Sequence, residues 1–167
     1  MRFNTIKKND TVNGEGIMVS LWTQGCPHRC KGCHNPETWN VEEGTEFTNI
    51  HKEYILECLD ANGIHRNLAI LGGEPLMDLN VNGVIDLCRF IKLNRPETKI
   101  YIWTGYKFED LKNYKLRELY MWIDVLIDGT YIESEKQLNL FLRGSKNQRV
   151  IDIQKTFNKG NIVLYKR

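Results

Sequence analysis

Apolar residues along this chain gather into short runs separated by stretches of helical period. Met18–Thr23, Leu68–Leu71, Lys99–Thr104, Ile123–Ile127 and Ile162–Tyr165 are rich in Val, Ile, Leu and aromatic residues, the composition of buried strands. Helical patterns lie between several of them. Thr48 caps one that runs to about Ala61 with Gly63 near its end, Asn82 caps a second that stops before Pro96, and Phe108 to about Tyr120 gives a third. Strands that alternate with helices predict a parallel sheet whose right-handed crossovers cover at least one face. The elements are too few for a closed eight-fold barrel. The predicted fold class is therefore α/β, a compact partial (open) α/β barrel with mainly parallel strands, in which ligands bind at the carboxyl ends of the strands.

Composition narrows this picture only slightly. With 167 residues, 41% of them hydrophobic, the chain can bury one core, so residues 1–167 are expected to form a single domain. A net charge of +2, with basic and acidic residues interspersed, gives no reason to expect nucleic acid. No apolar run approaches the roughly 20 residues of a membrane span. Nothing near Met1 resembles a signal peptide, and free cysteines without an export signal are expected in a reducing cytoplasm.

The cysteines change the picture more. Of five, Cys58 and Cys88 fall within apolar helical patterns and read as core. Cys26, Cys30 and Cys33 instead crowd into Gly25-Cys26-Pro27-His28-Arg29-Cys30-Lys31-Gly32-Cys33-His34, directly after the first apolar run. A disulfide framework does not suit so long and cysteine-poor a chain. Two metal readings do. Zinc needs four N or S donors for a closed site, and His28 or His34 could complete a Cys₃His set. Iron–sulfur clusters take one thiolate per iron, so three cysteines around a four-iron cluster leave one iron open for chemistry. Spacing alone does not separate the two.

Strand order tests the other motifs against this loop. Gly72-Gly73-Glu74-Pro75 follows the second apolar run, Thr104-Gly105-Tyr106 the third and Asp128-Gly129 the fourth, so all are predicted at one end of the sheet with the cysteines. Each alone is ordinary turn chemistry. Together they suggest a shared site. Glycines at 72 and 73 would let a ligand lie against the backbone, Glu74 could hold an ammonium group through charge-assisted hydrogen bonds, and Pro75 fixes the exit of the turn. An amino acid or a derivative suits such a slot.

The combination Cys26-x-x-x-Cys30-x-x-Cys33 with Gly72-Gly73-Glu74-Pro75 resembles the radical S-adenosylmethionine superfamily. Further segments narrow the likeness to the glycyl-radical activating enzymes, and within them to the family that activates anaerobic (class III) ribonucleotide reductase. They are Val12–Gly16, Gln24–Cys30, Gly32–Trp39, Leu71–Leu76, Trp103–Tyr106, Asp124–Gly129 and Leu142–Arg149, spread over most of the chain. The resemblance implies a [4Fe–4S] cluster on Cys26, Cys30 and Cys33, with the open iron chelating the methionine end of S-adenosylmethionine. It implies an electron donor such as flavodoxin, and as partner the glycyl-radical large subunit of the reductase, which would lose a glycine hydrogen to the 5′-deoxyadenosyl radical.

The same resemblance places Gly32, Cys33 and His34 near the adenine, and Gly72, Gly73 and Glu74 near the methionine ammonium. Thr104 and Asp128 are candidates for ribose or carboxylate contacts. One departure stands out: relatives often carry an aromatic residue before the last cysteine, where this chain has Gly32, so stacking would fall to His34 or to backbone alone. His28 reads as a solvated or supporting residue rather than a ligand. Trp22, Trp103 and Trp122 read as core, Trp39 as a candidate docking residue, and Arg143–Arg149 as a candidate contact with the reductase. Two rivals remain: another compact radical S-adenosylmethionine enzyme, and a non-catalytic zinc-binding interaction module.

Overall fold

A computed structural model describes residues 1–111 and 114–166. Seven strands form one open sheet: β1 (Arg2–Asp10), β2 (Met18–Thr23), β3 (Thr45–Glu46), β4 (Asn67–Gly72), β5 (Ile100–Trp103), β6 (Val125–Asp128) and β7 (Arg149–Asp152), in the order β3-β1-β2-β4-β5-β6-β7. The four central strands β2, β4, β5 and β6 are parallel neighbours. The margins are not. β1 runs antiparallel to β2 and β3, and β7 runs antiparallel to β6. The parallel expectation thus holds for the centre, where strands are joined through helices, and fails at both edges.

Side-chain alternation divides the core into two faces. Val19 and Leu21, Leu68 and Ile70, Ile100 and Ile102, Leu126 and Ile151 pack with the buried positions of α1 (Asn49–Leu59) and α2 (Asp78–Asn94). Cys58 and Cys88 are buried in that cluster, as expected. Met18, Ala69, Leu71, Tyr101, Val125, Ile127 and Val150 make the second cluster, with Trp22, Trp103, Phe141, Leu142 and Tyr165 packed against it. At the carboxyl ends of β2, β4 and β5, the second face therefore presents Trp22, Leu71 and Trp103.

Several predicted boundaries move for local reasons. Thr48 does precede α1, and its backbone N–H donates to His51 Nδ1 at 3.0 Å, but the helix stops at Leu59 and a 3₁₀ turn, Ala61–Gly63, follows. α2 begins at Asp78 rather than after Asn82, because buried Asn80 ties the first turn to Gln24 O and Glu74 O at 2.9 and 3.0 Å. The helix expected from Phe108 to Tyr120 divides into a 3₁₀ turn, Phe108–Asp110, and α3 (Tyr114–Tyr120); residues 112–113 of that span lie outside the described residues. The strand expected at Ile162–Tyr165 is reduced to a single bridge, Ile151 to Leu164. Before it comes α4 (Ile153–Lys159), capped by Asp152, which accepts from Lys155 N, and ended by left-handed Gly160. Among the described residues no helix is long and apolar enough to cross a membrane.

Candidate active site

Because β2, β4, β5 and β6 are parallel neighbours, the segments that follow them emerge along one edge of the sheet. A cavity of about 790 Å³ opens there, within the roughly 300–1,000 Å³ usual for ligand pockets. Cys26, Cys30, Cys33 and His34 border it, as do Gly72, Gly73, Glu74 and Thr104. Trp22, Trp103 and Tyr131 form aromatic walls, and Asp10–Asn13 contribute from the loop after β1. The sequence reads Trp22 and Trp103 as core, and both do pack on the second cluster, but each also faces the cavity. Both sit on the last residue or two of a strand, on the face opposite the helices, and that alternation was the available signal. Val12 and Asn13 belong to a segment that carries the family likeness, whereas Asp10, Thr11 and Tyr131 carry no comparable mark.

The three thiols each meet backbone donors. The His28 and Arg29 N–H groups donate toward Cys26, that of Tyr131 toward Cys30, and Asn35 N toward Cys33 Sγ at 3.4 Å. Burial pushes the Cys26 thiol above its ordinary value; the backbone donors oppose this and the charge of Glu74 adds to it. Burial likewise raises Cys30, with the Tyr131 N–H opposing. Bound metal reverses such a preference by taking the thiolate. The sulfurs border a common volume, but no three His, Cys, Asp or Glu side chains among the described residues converge on a single-ion site.

The Gly72-Gly73-Glu74 turn differs in detail from its sequence reading. Gly72 has a φ of +100°, open mainly to glycine. A Cβ on Gly73 would lie 2.3 Å from Gly25 O, so this glycine admits the cysteine loop rather than a ligand. Gly73 N and Glu74 N donate to Thr23 O and Gly25 O at 2.9 and 2.7 Å, which fastens the two strand ends together.

Glu74 is held more fully than the sequence indicates. Its carboxylate, 1% exposed, accepts at Oε1 from the Thr104 hydroxyl (2.7 Å) and Leu76 N (2.9 Å). At Oε2 it accepts from Gly105 N and His28 Nε2, each at 2.8 Å. An ionised carboxylate offers about four acceptor positions, and the protein itself fills them. The side chain is therefore engaged in joining three loops. Thr104 is spent likewise: its oxygen also accepts from Tyr106 N at 3.2 Å.

Asp128 is not brought into the cavity. Its buried carboxylate takes Arg149 Nε at 3.0 Å and Phe108 N at 2.8 Å, and pairs with Arg149 Nη2. Arg149 also forks onto Glu109 at 2.8 and 2.6 Å and holds that carboxyl at about 2. Neighbouring Gln148 receives Gly144 N at 2.9 Å and donates to Gly129 O at 2.9 Å, while Arg143 Nη1 donates to Gln148 O at 2.7 Å. The Arg143–Arg149 segment thus has an internal role, bracing the wall after β6. Gly32 is exposed with a φ of +72°, where a Cβ would meet the Glu133 carboxylate at 2.6 Å. His34 lies 5.7 Å from the Tyr131 ring, an aromatic pair at the cavity edge. Trp39 lines a separate groove of about 660 Å³ with Pro27, Val41 and Met77, and Cys26 borders both spaces.

Comparison with known proteins agrees with the geometry. Residues 12–151 match the model of the 4Fe-4S single cluster domain. An anaerobic ribonucleoside-triphosphate reductase-activating protein of Haemophilus influenzae is 38% identical over 140 residues, covering 83% of this chain and 90% of the relative. The chain belongs to this activating-protein family. Proteins of the same name from Enterobacteria phage T4 and Escherichia coli K12 are 39% and 35% identical, each over 90% of this chain, with 93% and 97% of their own lengths covered. In this member the cysteine loop, the Gly72–Glu74 turn and the β5 end all border one cavity, within the span that the cluster-domain model matches.

Proposed function

We propose that this chain activates an anaerobic ribonucleoside-triphosphate reductase by reductive cleavage of S-adenosylmethionine, leaving a glycyl radical on the reductase. The single observation that carries the reading is the cavity shared by three backbone-solvated thiols and the Gly72–Glu74 turn, in a chain of this family. The donor set fits an iron–sulfur group, because N–H donors to cysteine sulfur are the surroundings that stabilise and tune cluster thiolates. Cys26, Cys30 and Cys33 would hold the cluster. When bound, such a cluster supplies the electron that breaks the sulfonium C–S bond and an iron free to chelate the methionine end.

The chain's own residues orient and enclose the substrate. Trp22 and Tyr131 line the cavity and give it aromatic surface against which a nucleoside can pack. Cys33 and His34, with Gly32 just outside the cavity lining, are read as the adenine side, where the His34–Tyr131 pair supplies the flat surface that Gly32 lacks. Gly72, Gly73 and Glu74 face the amino-acid end through backbone, with the Glu74 carboxylate and Thr104 holding the turn in place. Lys7, Lys136 and Arg143, also at the cavity, supply positive charge for a carboxylate. Aromatic walls exclude water from a reactive radical.

Residues 1–167 are read as one activase domain whose sheet forms the open half of a barrel around this cavity. Its partners are the large subunit of the reductase and a one-electron donor such as flavodoxin, in the cytoplasm. The test begins with protein purified without oxygen, which should be brown, bleach with dithionite and carry iron and sulfide. A colourless protein holding one zinc would overturn the reading. Cys30→Ala should lose cluster and S-adenosylmethionine cleavage together; retained cleavage would contradict the ligand assignment.

A further inference from the structure

His28 stands inside the cysteine loop, two residues from Cys26 and from Cys30, and its side chain is only 15% exposed. Its Nε2 donates to Glu74 Oε2 at 2.8 Å, and its ring meets Tyr106 edge-on with centroids 4.7 Å apart. The space for the ring is made by Gly105, where a Cβ would fall 2.4 Å from His28 Cδ2. Gly105 N donates to the same carboxylate oxygen, and Thr104 and Leu76 N take the other. The ends of β2, β4 and β5 are therefore joined through one buried carboxylate.

We propose that His28 is a positioning residue: its clasp on Glu74, seated in the gap left by Gly105, sets the cysteine loop at a fixed distance from the Gly72–Glu74 turn. Two other bonds already fasten these segments by backbone, Gly73 N to Thr23 O and Glu74 N to Gly25 O, but both act at the root of the loop. His28 is the polar side chain that reaches from between the thiols to the turn. Its loss frees the loop's far end, leaves all three sulfurs present, and misplaces the metal site relative to the amino-acid slot. The inference rests on the proposed function for its consequence, but not for the clasp itself.

The clasp is tested on cofactor-free protein by amide hydrogen exchange across residues 26–34. Losing a buried hydrogen bond to a charged acceptor should speed exchange of that segment about tenfold or more in His28→Ala. His28→Gln, which can still donate an N–H to Glu74, should restore protection. Gly105→Ala should resemble His28→Ala, since the added methyl evicts the ring, and the double variant should be no worse than His28→Ala alone. Unchanged exchange in His28→Ala, or additive effects in the double variant, would overturn the clasp.

The consequence is read on reconstituted protein. His28→Ala should keep its iron and sulfide content while its dissociation constant for S-adenosylmethionine rises about tenfold or more, with recovery in His28→Gln. Unaltered affinity would refute the positioning role even with a confirmed clasp. If the unmutated, cluster-loaded protein bound no S-adenosylmethionine, the functional reading would fail, and the exchange result would still decide the clasp.

Discussion

Replacing Glu74 with alanine separates two uses of that carboxylate. If it holds a ligand's ammonium, the ligand-free protein should hardly notice its loss. The structure instead gives it four donors from its own chain, at 2.7 to 2.9 Å, in a site 1% exposed. A hydrogen bond to a charged group contributes about 1.5–3 kcal/mol, and four on one carboxylate do not add independently. Alanine also strands Leu76 N, Gly105 N, the Thr104 hydroxyl and His28 Nε2, so a loss of about 4 kcal/mol is expected. That is a large part of the roughly 5–15 kcal/mol of an ordinary domain. In urea, with a slope near 2 kcal/mol per molar, the midpoint of cofactor-free Glu74→Ala should fall by about 2 M. Glu74→Gln keeps one acceptor oxygen but turns an amide NH₂ toward donors, and should fall between the two. A shift in Glu74→Ala below about 0.5 M would refute the reasoning and return the carboxylate to the ligand.

Other substitutions probe neighbouring parts of the account. Arg149 holds the Glu109 carboxyl at about 2, below its ordinary 4.5, so this pair stabilises the fold fully above pH 4.5 and the benefit is lost as pH falls toward 2. Thermal midpoints of Glu109→Gln should therefore lack that part of the acid decline; an unchanged acid limb would contradict the pairing. Arg149→Leu strands the buried Asp128 carboxylate and should cost about 2 kcal/mol in denaturation, discounted because the guanidinium is 30% exposed. Its affinity for S-adenosylmethionine should change little, since Asp128 lies off the cavity; a selective loss of binding would restore Asp128 to the site. Gly73→Ala drives a methyl to 2.3 Å from Gly25 O, and should lower both stability and reconstituted iron, as measured by denaturation and iron assay.

The central strands are legible because each is largely apolar along its length, with only Ser20 breaking the run in β2: the inner residues of β2, β4, β5 and β6 are buried on both faces, so alternation does not dilute the signal. β1 lacked it, having only Phe3 and Ile6 as apolar residues among Arg2–Asp10, and its place beside β2 comes from pairing that local pattern does not record. The shared end of the sheet followed correctly from strand order. The work of Glu74 did not, because its partners lie 46, 31 and 30 residues away at His28, Gly105 and Thr104, and a Gly-Gly-Glu turn looks the same with its carboxylate free or spent. The pairing of Asp128 was hidden for the same reason, its partner being 21 residues on at Arg149. In the sequence Gly73 reads as room for a ligand, where it makes room for Gly25 O; Gly105, which reads only as turn chemistry, makes room for the His28 ring. Spacing shows which residues can meet at a strand end; only the packed loops show which polar groups remain free.

The most direct test mixes the anaerobically purified protein with the large subunit of an anaerobic ribonucleotide reductase, S-adenosylmethionine and a one-electron reductant, and records the paramagnetic spectrum of the reductase. The account predicts a glycyl radical on the reductase that requires all four components and is absent with Cys30→Ala. A cluster-loaded protein that cleaves S-adenosylmethionine but leaves the reductase without a radical would contradict it.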